Sequence, residues 1–312
     1  MTEERFYSLG RYLKNTFGER VHKIRISVGG LSEGEDAAEP ENIALCAGGP
    51  IDSPPAETET LTVTEQLNRS KERIRKRFKT GKFIAHLHTG AGSCVSLKSL
   101  SEKVEDVIND NEVIGITFCA RPECMSDAFI KFLADTAEYT HTWLELGVMS
   151  LNDETLRRIG MRHTRSDVRG VVQELMGTQL RIAPHIVLGL PGENDDMMRD
   201  TMRETAALSI QGINIHHYYL LNGDPLVEQY NRGELQLLER EHYVSLVCDF
   251  IEMLPPDVVL HRIVGEADHE RLAAPQWTLE RRETLTLISE QMEKRNSSQG
   301  EKLAGMQSGF GV

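Results

Sequence analysis

The stretch RIAPHIVLGLPGENDDMMRDTMRETAALSIQGINIHHYYL, from Arg181 to Leu220, decides the fold class of this 312-residue chain. It begins with an apolar, β-branched run at 181–188 that ends at the glycine-rich turn LGLPGE. Residues 195–209 then have the apolar spacing of a helix, and residues 213–220 form a second β-rich run. A strand, a helix and a strand in this order predict a βαβ unit with parallel strands.

The same alternation of strands and helices continues along most of the chain. Further strands are predicted at 22–28, 82–87, 113–118, 142–146 and 258–263. Helices are predicted at 64–78, 97–109, 126–137, 152–159, 166–176 and 239–254, two of them with the N-caps Ser126 and Asn152. Seven strands over about 240 residues favour a whole or partial β/α barrel over a two-domain Rossmann enzyme. Neither a G-x-G-x-x-G fingerprint after the first strand nor a Walker A loop is present.

The composition limits the compartment and the classes of partner. With 39% apolar and 27% charged residues the chain can build a sizeable core and is not expected to be disordered. Its 35 basic and 48 acidic residues disfavour a surface that wraps nucleic acid or coats an anionic membrane. We expect neither a membrane span nor a secretory signal. An odd number of scattered cysteines, five, predicts a reducing cytoplasm rather than a disulfide framework.

Two segments lack the periodicity of the rest. Residues 29–60 are rich in Gly, Pro and Ala and hold eight carboxylates but no Lys or Arg, which predicts a functional or mobile loop. The tail 296–312 is small and polar and is expected to be flexible. Directly after the acidic segment, residues 68–79 contain seven basic side chains. A solvated basic face is favoured there over contact with an acidic partner or RNA.

Several stretches resemble the YhcC-like family of radical S-adenosylmethionine (SAM) proteins, from Tyr12 to about residue 300. They are RYLKNTFGERVHKI at 11–24, ARPEC at 120–124, WLELGVMSLNDETLRRI at 143–159, HIVLGLPGE at 185–193, INIHHYYLLNGDPL at 213–226 and EREHYVSLVCDFIEMLPPDVVLHRI at 239–263. The resemblance implies an α/β fold, a partial (β/α)6 TIM-like barrel of the radical SAM type with a C-terminal α/β extension. It places the barrel at 1–220 and the extension at 221–295.

The resemblance also implies a [4Fe-4S] cluster on three cysteines in the loop after the first strand, the last two spaced C-x-x-C. In this chain that loop is the acidic segment, and only Cys46 stands at one of the three positions. Ser32 or Glu33 takes the place of the first cysteine and Ile43 that of the second. One thiolate cannot hold a four-iron cluster in the usual way, so a standard cluster is not expected.

Four further loops at the carboxyl ends of the expected strands also depart from the family pattern. They read GAGS at 90–93, CARPE at 119–123, GVMS at 147–150 and GMRH at 160–163. Changes confined to this end of the barrel, with the strand and helix patterns intact, are what a non-catalytic descendant would show.

The turn after the 181–188 strand is the best candidate for a retained cofactor site. In the family this region lines the SAM pocket, which implies cofactor contacts for Gly189, Pro191, Gly192 and Glu193. The alternative is a tight turn with a carboxylate favoured in the first turn of a helix. Glu145 either makes a polar contact with SAM, as in the family, or is an inward-facing carboxylate paired with a basic neighbour. Arg121 is the remaining candidate for a cofactor contact.

A metal site of new composition is the second possibility. Four cysteines follow predicted strands, namely Cys46, Cys94, Cys119 and Cys124, and the histidines of HLH, His86 and His88, alternate onto one face. A set of Cys46, Cys94, Cys119 and His88 would suit zinc or a mononuclear iron. The alternative is that small cysteines fill space, with Cys124 structural. Three strand histidines, His185, His216 and His217, are expected to be hydrogen-bonded core residues.

Three hypotheses follow. The first is a radical-SAM-fold protein without its cluster, which acts as a non-catalytic binding or accessory subunit beside an active radical SAM enzyme or another protein and still holds SAM or another nucleotide. The second is an enzyme, either with the rewired His/Cys metal site or with unconventional cluster ligands. The third is an interaction module built on the acidic segment and the basic helix.

Overall fold

The computed structural model describes residues 4–28, 61–88 and 97–303 of the chain. The helices in this part are α1 (Leu9–Phe17), α2 (Val63–Arg75), α3 (Leu97–Ile108), α4 (Asp127–Tyr139), α5 (Asp153–Arg158), α6 (Arg165–Glu174), α7 (Asp195–Ala207), α8 (Leu226–Asn231), α9 (Arg240–Met253) and α10 (Arg281–Arg295). The strands are β1 (Val21–Ser27), β2 (Lys82–His88), β3 (Val113–Ala120), β4 (His141–Met149), β5 (Arg181–Leu188), β6 (Gly212–His217), β7 (Leu220–Leu221), β8 (Val259–Arg262) and β9 (Leu272–Ala274).

Seven strands form one sheet, whose hydrogen-bonded neighbours follow the order β1, β2, β3, β4, β5, β6 and β8. The pairs β1–β2, β2–β3, β3–β4, β5–β6 and β6–β8 are parallel. Consecutive strands of this sheet are separated in the chain by helices, as parallel pairing requires. The predicted α/β class with a parallel sheet is therefore confirmed.

Local sequence signals explain where several helices begin. The side chains of the two predicted N-caps, Ser126 and Asn152, accept hydrogen bonds from backbone amides in the first turns of α4 and α5. Asn194 caps α7 in the same way. At α2, Thr62 and Glu65 form a reciprocal capping box that satisfies two otherwise unpaired amides.

Some predicted boundaries are wrong, and some elements were not predicted. The run 213–220 is not one strand, because β6 ends at His217 and the chain then enters β7, which pairs antiparallel with β9. Four elements escaped prediction: α1, α8, β9 and α10. The apolar residues Leu9, Leu13 and Phe17 of α1 are regularly spaced but span only nine residues, and α8 buries none of its side chains.

Packing divides the chain into two compact units. The first unit comprises residues 10–148 and 167–184, and the second comprises 1–9, 149–166 and 185–312. The first contains β1 to β4 with α1 to α4, and the second contains β6 to β9 with α7 to α10. The division at residue 220, made from the sequence, does not coincide with this packing and stays a prediction.

Residues that follow α10 are held in place within the second unit. The amide of Gln299 donates to the carbonyl of Arg5, and the amide of Lys302 donates to the carbonyl of Glu252. The Lys302 ammonium also lies 3.1 Å from Oδ1 of Asp249. The tail expected to fray from residue 296 is thus ordered as far as residue 303, and its remainder lies outside the described residues. Among the described helices, none has both the length and the hydropathy of a membrane span.

Candidate functional site

One face of the first unit's strands is lined with polar side chains. Phe83 of β2 faces α2, because Lys71 and Arg75 of that helix lie over its ring. Strand alternation then directs Ile84, His86 and His88 to the opposite face. Residues paired in register share a face, so Lys23 of β1, which pairs with Ile84, lies on the same side. Thr117 of β3 pairs with His86 and lies there too.

Cys119 and Glu145 extend this polar face into the next strands. Cys119 lies two residues beyond Thr117 on β3, and its register partner on β4 is Glu145. Four neighbouring strands, β1 to β4, therefore each present a side chain with a reactive or charged group on one face of the sheet. Lys23, His86, Cys119 and Glu145 are these four residues, and we refer to them as the polar cluster.

The atoms of the polar cluster are in direct contact. Nζ of Lys23 lies 2.5 Å from Oε1 of Glu145, and Nε2 of His86 lies 2.9 Å from Oε2 of the same carboxylate. Sγ of Cys119 lies 3.0 Å from Nε2 of His86 and 3.9 Å from Oε2 of Glu145. Within the ranges that the structure describes, His86, Cys119 and Glu145 are the group whose ligand atoms lie close enough together to hold a metal ion, all within 4.8 Å.

The polar cluster is shielded from solvent. The exposed fractions of Glu145, His86 and Cys119 are 4%, 5% and 8%. A buried carboxylate is costly without partners, and Lys23 and His86 supply them. This contact matches the alternative reading of Glu145 as an inward carboxylate with a basic neighbour. Glu145 does not end its strand as the sequence suggested, because β4 continues to Met149.

Of the four predicted metal ligands, the structure places Cys119 in a group that could hold a metal ion. Cys119 belongs to the polar cluster. The histidine that contacts it there is His86, not the predicted ligand His88. His88 is buried at the last position of β2, where it pairs in register with Ser27. Cys46 and Cys94 lie outside the described residues. Sequence reasoning missed Lys23, which only the register between β1 and β2 could have placed beside these groups.

A second candidate site surrounds the turn after β5 in the second unit. Gly189 and Gly192 have φ angles of 79° and 81°, a conformation that favours glycine. A Cβ on Gly192 would collide with Nη1 of Arg158, so the guanidinium packs directly on the turn. The same Nη1 donates to the carbonyl of Pro191 at 3.2 Å. The predicted residues Gly189, Pro191 and Gly192 thus form a compact turn clamped by Arg158.

Glu193 completes this turn, and its largely buried carboxyl group contacts side-chain hydroxyl groups. Its Oε1 accepts a hydrogen bond of 2.7 Å from Oγ of Ser150, which lies 3.2 Å from Oγ1 of Thr201. Burial raises the pKa of Glu193 to about 7, although the Ser150 hydrogen bond opposes this shift. The carboxyl group can therefore change its protonation state near neutral pH, which is typical of functional carboxylates.

The other predicted residues have identifiable partners. Arg121 stands before the short 3-10 helix Pro122–Cys124, and its Nε lies 3.5 Å from Oε1 of Glu123. A cofactor contact of Arg121 stays a prediction. Of the basic residues in 68–79, Lys71 is buried and pairs with Asp110 and Glu112, and Arg75 also pairs with Glu112. Part of the predicted basic face is therefore neutralised within the first unit.

The strand histidines are core residues, as expected. Nε2 of His217 lies 2.9 Å from Oγ1 of Thr278, and the centroid of its ring lies 4.0 Å from the ring centroid of Trp277. Burial lowers the pKa of His217 to about 3, so this histidine is neutral under physiological conditions. Nδ1 of His185 lies 2.9 Å from Nε2 of His216, and the two rings are stacked.

Comparison with known proteins agrees with this architecture. Residues 59–205 match the Radical SAM superfamily, and residues 210–294 match the Radical_SAM C-terminal domain. The chain is 34% identical to the uncharacterized protein YtqA of Bacillus subtilis (strain 168) over 301 residues, which are 96% of this chain and 93% of that protein. It is 24% identical to protein YhcC of Escherichia coli (strain K12), over 86% of each chain.

Solved structures agree on the fold. The archaeal Elp3 of Methanocaldococcus infernus superposes with a TM-score of 0.66 at 16% sequence identity. The superposition covers 89% of this chain and 64% of that one. At this identity the likeness shows the fold alone, and it confirms the predicted partial barrel of the radical SAM type.

Proposed function

We propose, on the premise that this chain belongs to the YhcC-like family of radical SAM proteins, that it has lost the [4Fe-4S] cluster and reductive SAM cleavage. It acts instead as a non-catalytic binding or accessory subunit that retains a site for SAM or another nucleotide. Its partner is an active radical SAM enzyme or another protein subunit. The observation behind this proposal is the set of donor atoms that the chain offers to a cluster.

That donor set does not fit four iron atoms. Cys46 is the single cysteine of the segment 29–60, and the aliphatic Ile43 has no atom that can bind iron. Among the described residues, Cys248 lies in the core of α9, where burial raises the pKa of its thiol to about 12. Cys119 contacts a nitrogen of His86 and an oxygen of Glu145 rather than other thiols. In the described ranges 4–28, 61–88 and 97–303 no group of three thiolates comes together, so we derive no reaction step through a cluster.

The turn around Glu193 supports the retained nucleotide site. Glycines with positive φ let the backbone of a ligand-binding turn approach an adenosine closely, because no Cβ intervenes. The Glu193 carboxylate accepts hydrogen bonds from hydroxyl groups, as its contact with Ser150 shows. The oxygens of Glu145 are held by the ammonium of Lys23 and the imidazole of His86, whereas the partner of Glu193 is the hydroxyl group of Ser150, which a hydroxyl group of a ligand can replace. We therefore assign the hydroxyl-accepting role to Glu193 rather than to Glu145.

Two measurements on the full-length protein test this proposal. In anaerobic reconstitution with iron and sulfide we expect neither a stoichiometric four-iron cluster nor 5′-deoxyadenosine from SAM. In titration calorimetry at pH 8 we expect SAM to bind. Glu193→Gln should weaken this binding roughly tenfold, because one charge-assisted hydrogen bond is lost. Glu174→Gln, at an exposed position of α6, is the matched control. A full cluster that cleaves SAM would refute the loss of radical chemistry.

A second candidate function rests on the contact between Cys119 and His86. A thiol 3.0 Å from an imidazole nitrogen favours an enzyme with a rewired nitrogen and sulfur metal site, or a radical SAM enzyme with unconventional ligands. Turnover that depends on a metal bound by the purified protein would favour this candidate over the accessory subunit.

A further inference from the structure

We propose that His86, Cys119 and Glu145 form a binding site for one divalent transition-metal ion, with zinc as the expected ion. The ligand atoms are Nε2 of His86, Sγ of Cys119 and Oε2 of Glu145. The site is independent of the proposed nucleotide binding at Glu193, so either can be correct without the other.

The contacts of His86 distinguish a metal site from a catalytic triad. In a nucleophilic triad the two nitrogens of the imidazole have different partners, one the nucleophile and the other a carboxylate. Here both the thiol of Cys119 and the carboxylate of Glu145 approach Nε2. A single N–H cannot serve both acceptors well. A cation placed between the three atoms would satisfy all of them.

The distances suit a tetrahedral ion after a small adjustment. Zinc binds nitrogen and oxygen at about 2.0–2.2 Å and sulfur at about 2.3 Å, which places neighbouring ligand atoms roughly 3.3–3.8 Å apart. The three distances in the polar cluster are 2.9, 3.0 and 3.9 Å. The first two must lengthen by about half an ångström, which side-chain rotation can supply.

The sheet holds the ligands in position. Each ligand comes from a different strand, β2, β3 or β4, and Cys119 and Glu145 are direct register partners. Ligands on neighbouring strands lose little entropy when the ion binds, because their backbones are already fixed. Three protein ligands leave the fourth position of a tetrahedron for a water molecule or another small ligand.

Lys23 orients the carboxylate and balances charge. Its ammonium binds Oε1 of Glu145, which leaves Oε2 directed at His86 and Cys119. Partners of this kind tune the affinity of a metal site by fixing its ligands. A zinc ion with one thiolate and one carboxylate is neutral overall. The positive charge of Lys23 nearby then favours an anion at the fourth position.

The experiment uses the full-length protein, stripped of metal with a chelator and titrated with Co²⁺ as a spectroscopic substitute for Zn²⁺. We expect binding of about one equivalent with a thiolate-to-metal charge-transfer band and release of a proton from Cys119. Cys119→Ser should abolish the band. Lys23→Met should keep the band but weaken binding roughly 10- to 100-fold. Cys248→Ser, which removes another buried thiol, should change neither.

A measurement on the wild-type protein covers the case that Cys119→Ser does not fold. Zn²⁺ should slow alkylation of Cys119, followed residue by residue by mass spectrometry, and should leave Cys248 unchanged. A band that survives in Cys119→Ser, or alkylation of Cys119 that is indifferent to Zn²⁺, would overturn the proposal. SAM titrations of the same samples show separately whether the nucleotide site is intact.

Discussion

Lys23 of β1 and Glu145 of β4 form an ion pair 2.5 Å long, although β2 and β3 lie between their strands. Neighbouring strands are about 4.8 Å apart, so β1 and β4 are separated by about 14 Å along the sheet. Two side chains cannot easily bridge that separation over a flat sheet. The first unit's strands therefore curve around the polar cluster, and the ion pair is a direct consequence of this curvature.

Removal of the Lys23 ammonium should destabilise the first unit. Lys23→Met leaves the buried Glu145 carboxylate with His86 alone, and we expect the free energy of unfolding to fall by about 2 kcal/mol. Urea denaturation at pH 7 measures this loss. The control is Lys82→Met, which breaks an exposed pair with Glu19 and should cost less than about 1 kcal/mol. Equal losses in both variants would contradict a special role of the buried pair.

Glu193 should make stability depend on pH between about 4.5 and 7. Its pKa is raised from 4.5 to about 7 in the folded protein, so the folded state binds the proton more tightly than the unfolded state. This contribution to stability is fully present below pH 4.5 and is lost as the pH rises through 7.

Glu193→Gln should remove that contribution. The difference in unfolding free energy between wild type and variant should change by about 2–3 kcal/mol between pH 4.5 and 8. Urea denaturation in a series of buffers provides the measurement, and Glu174→Gln is the control at an exposed position. A difference that stays constant over this range would show that Glu193 titrates normally.

Gly192 should not tolerate a side chain. Gly192→Ala places a Cβ in the left-handed region and against the guanidinium of Arg158, and we expect a loss of about 1–2 kcal/mol in stability. Gly170, inside α6, has open space around it, so Gly170→Ala should instead stabilise the protein by about 0.5–1 kcal/mol. Thermal unfolding of the two variants compares these opposite effects, and a stabilised Gly192→Ala would rule out the clamped turn.

His217 should contribute to acid denaturation. Its pKa is lowered from 6.5 to about 3 by burial, so the unfolded state binds the proton more tightly. Stability is fully present above pH 6.5 and is lost as the pH falls towards 3. His217→Gln should flatten the pH dependence of unfolding in this window, at some cost in stability at pH 7. His269→Gln, at an exposed histidine outside the helices, is the matched control for the substitution.

Local sequence patterns were sufficient to predict much of the fold. Apolar runs of period two, helical spacing and N-caps such as Ser126 and Asn152 predicted most of β1 to β6 and the helices between them, because each signal acts within one turn or strand. Elements with weak patterns were missed: α10 buries mainly Thr284, Ile288 and Met292, too few apolar positions for a clear stripe.

The family resemblance places Ile43 where a cluster cysteine is expected, and the loss of the cluster stays a prediction. An aliphatic side chain at Ile43 offers no lone pair whatever the fold around it. The turn at Gly189 and Gly192 was also predictable, because positive φ angles after a strand favour glycine.

Only the tertiary structure decided which polar groups meet. Alternation along HLH puts His86 on a face, but the register between strands determines that Cys119 faces Glu145 and that Lys23 reaches the same carboxylate. Register depends on hydrogen bonds between residues far apart in the chain, and curvature depends on the packing of whole strands. The sequence therefore determined which residues could serve a site, and the folded sheet determined that His86, Cys119 and Glu145 come into contact.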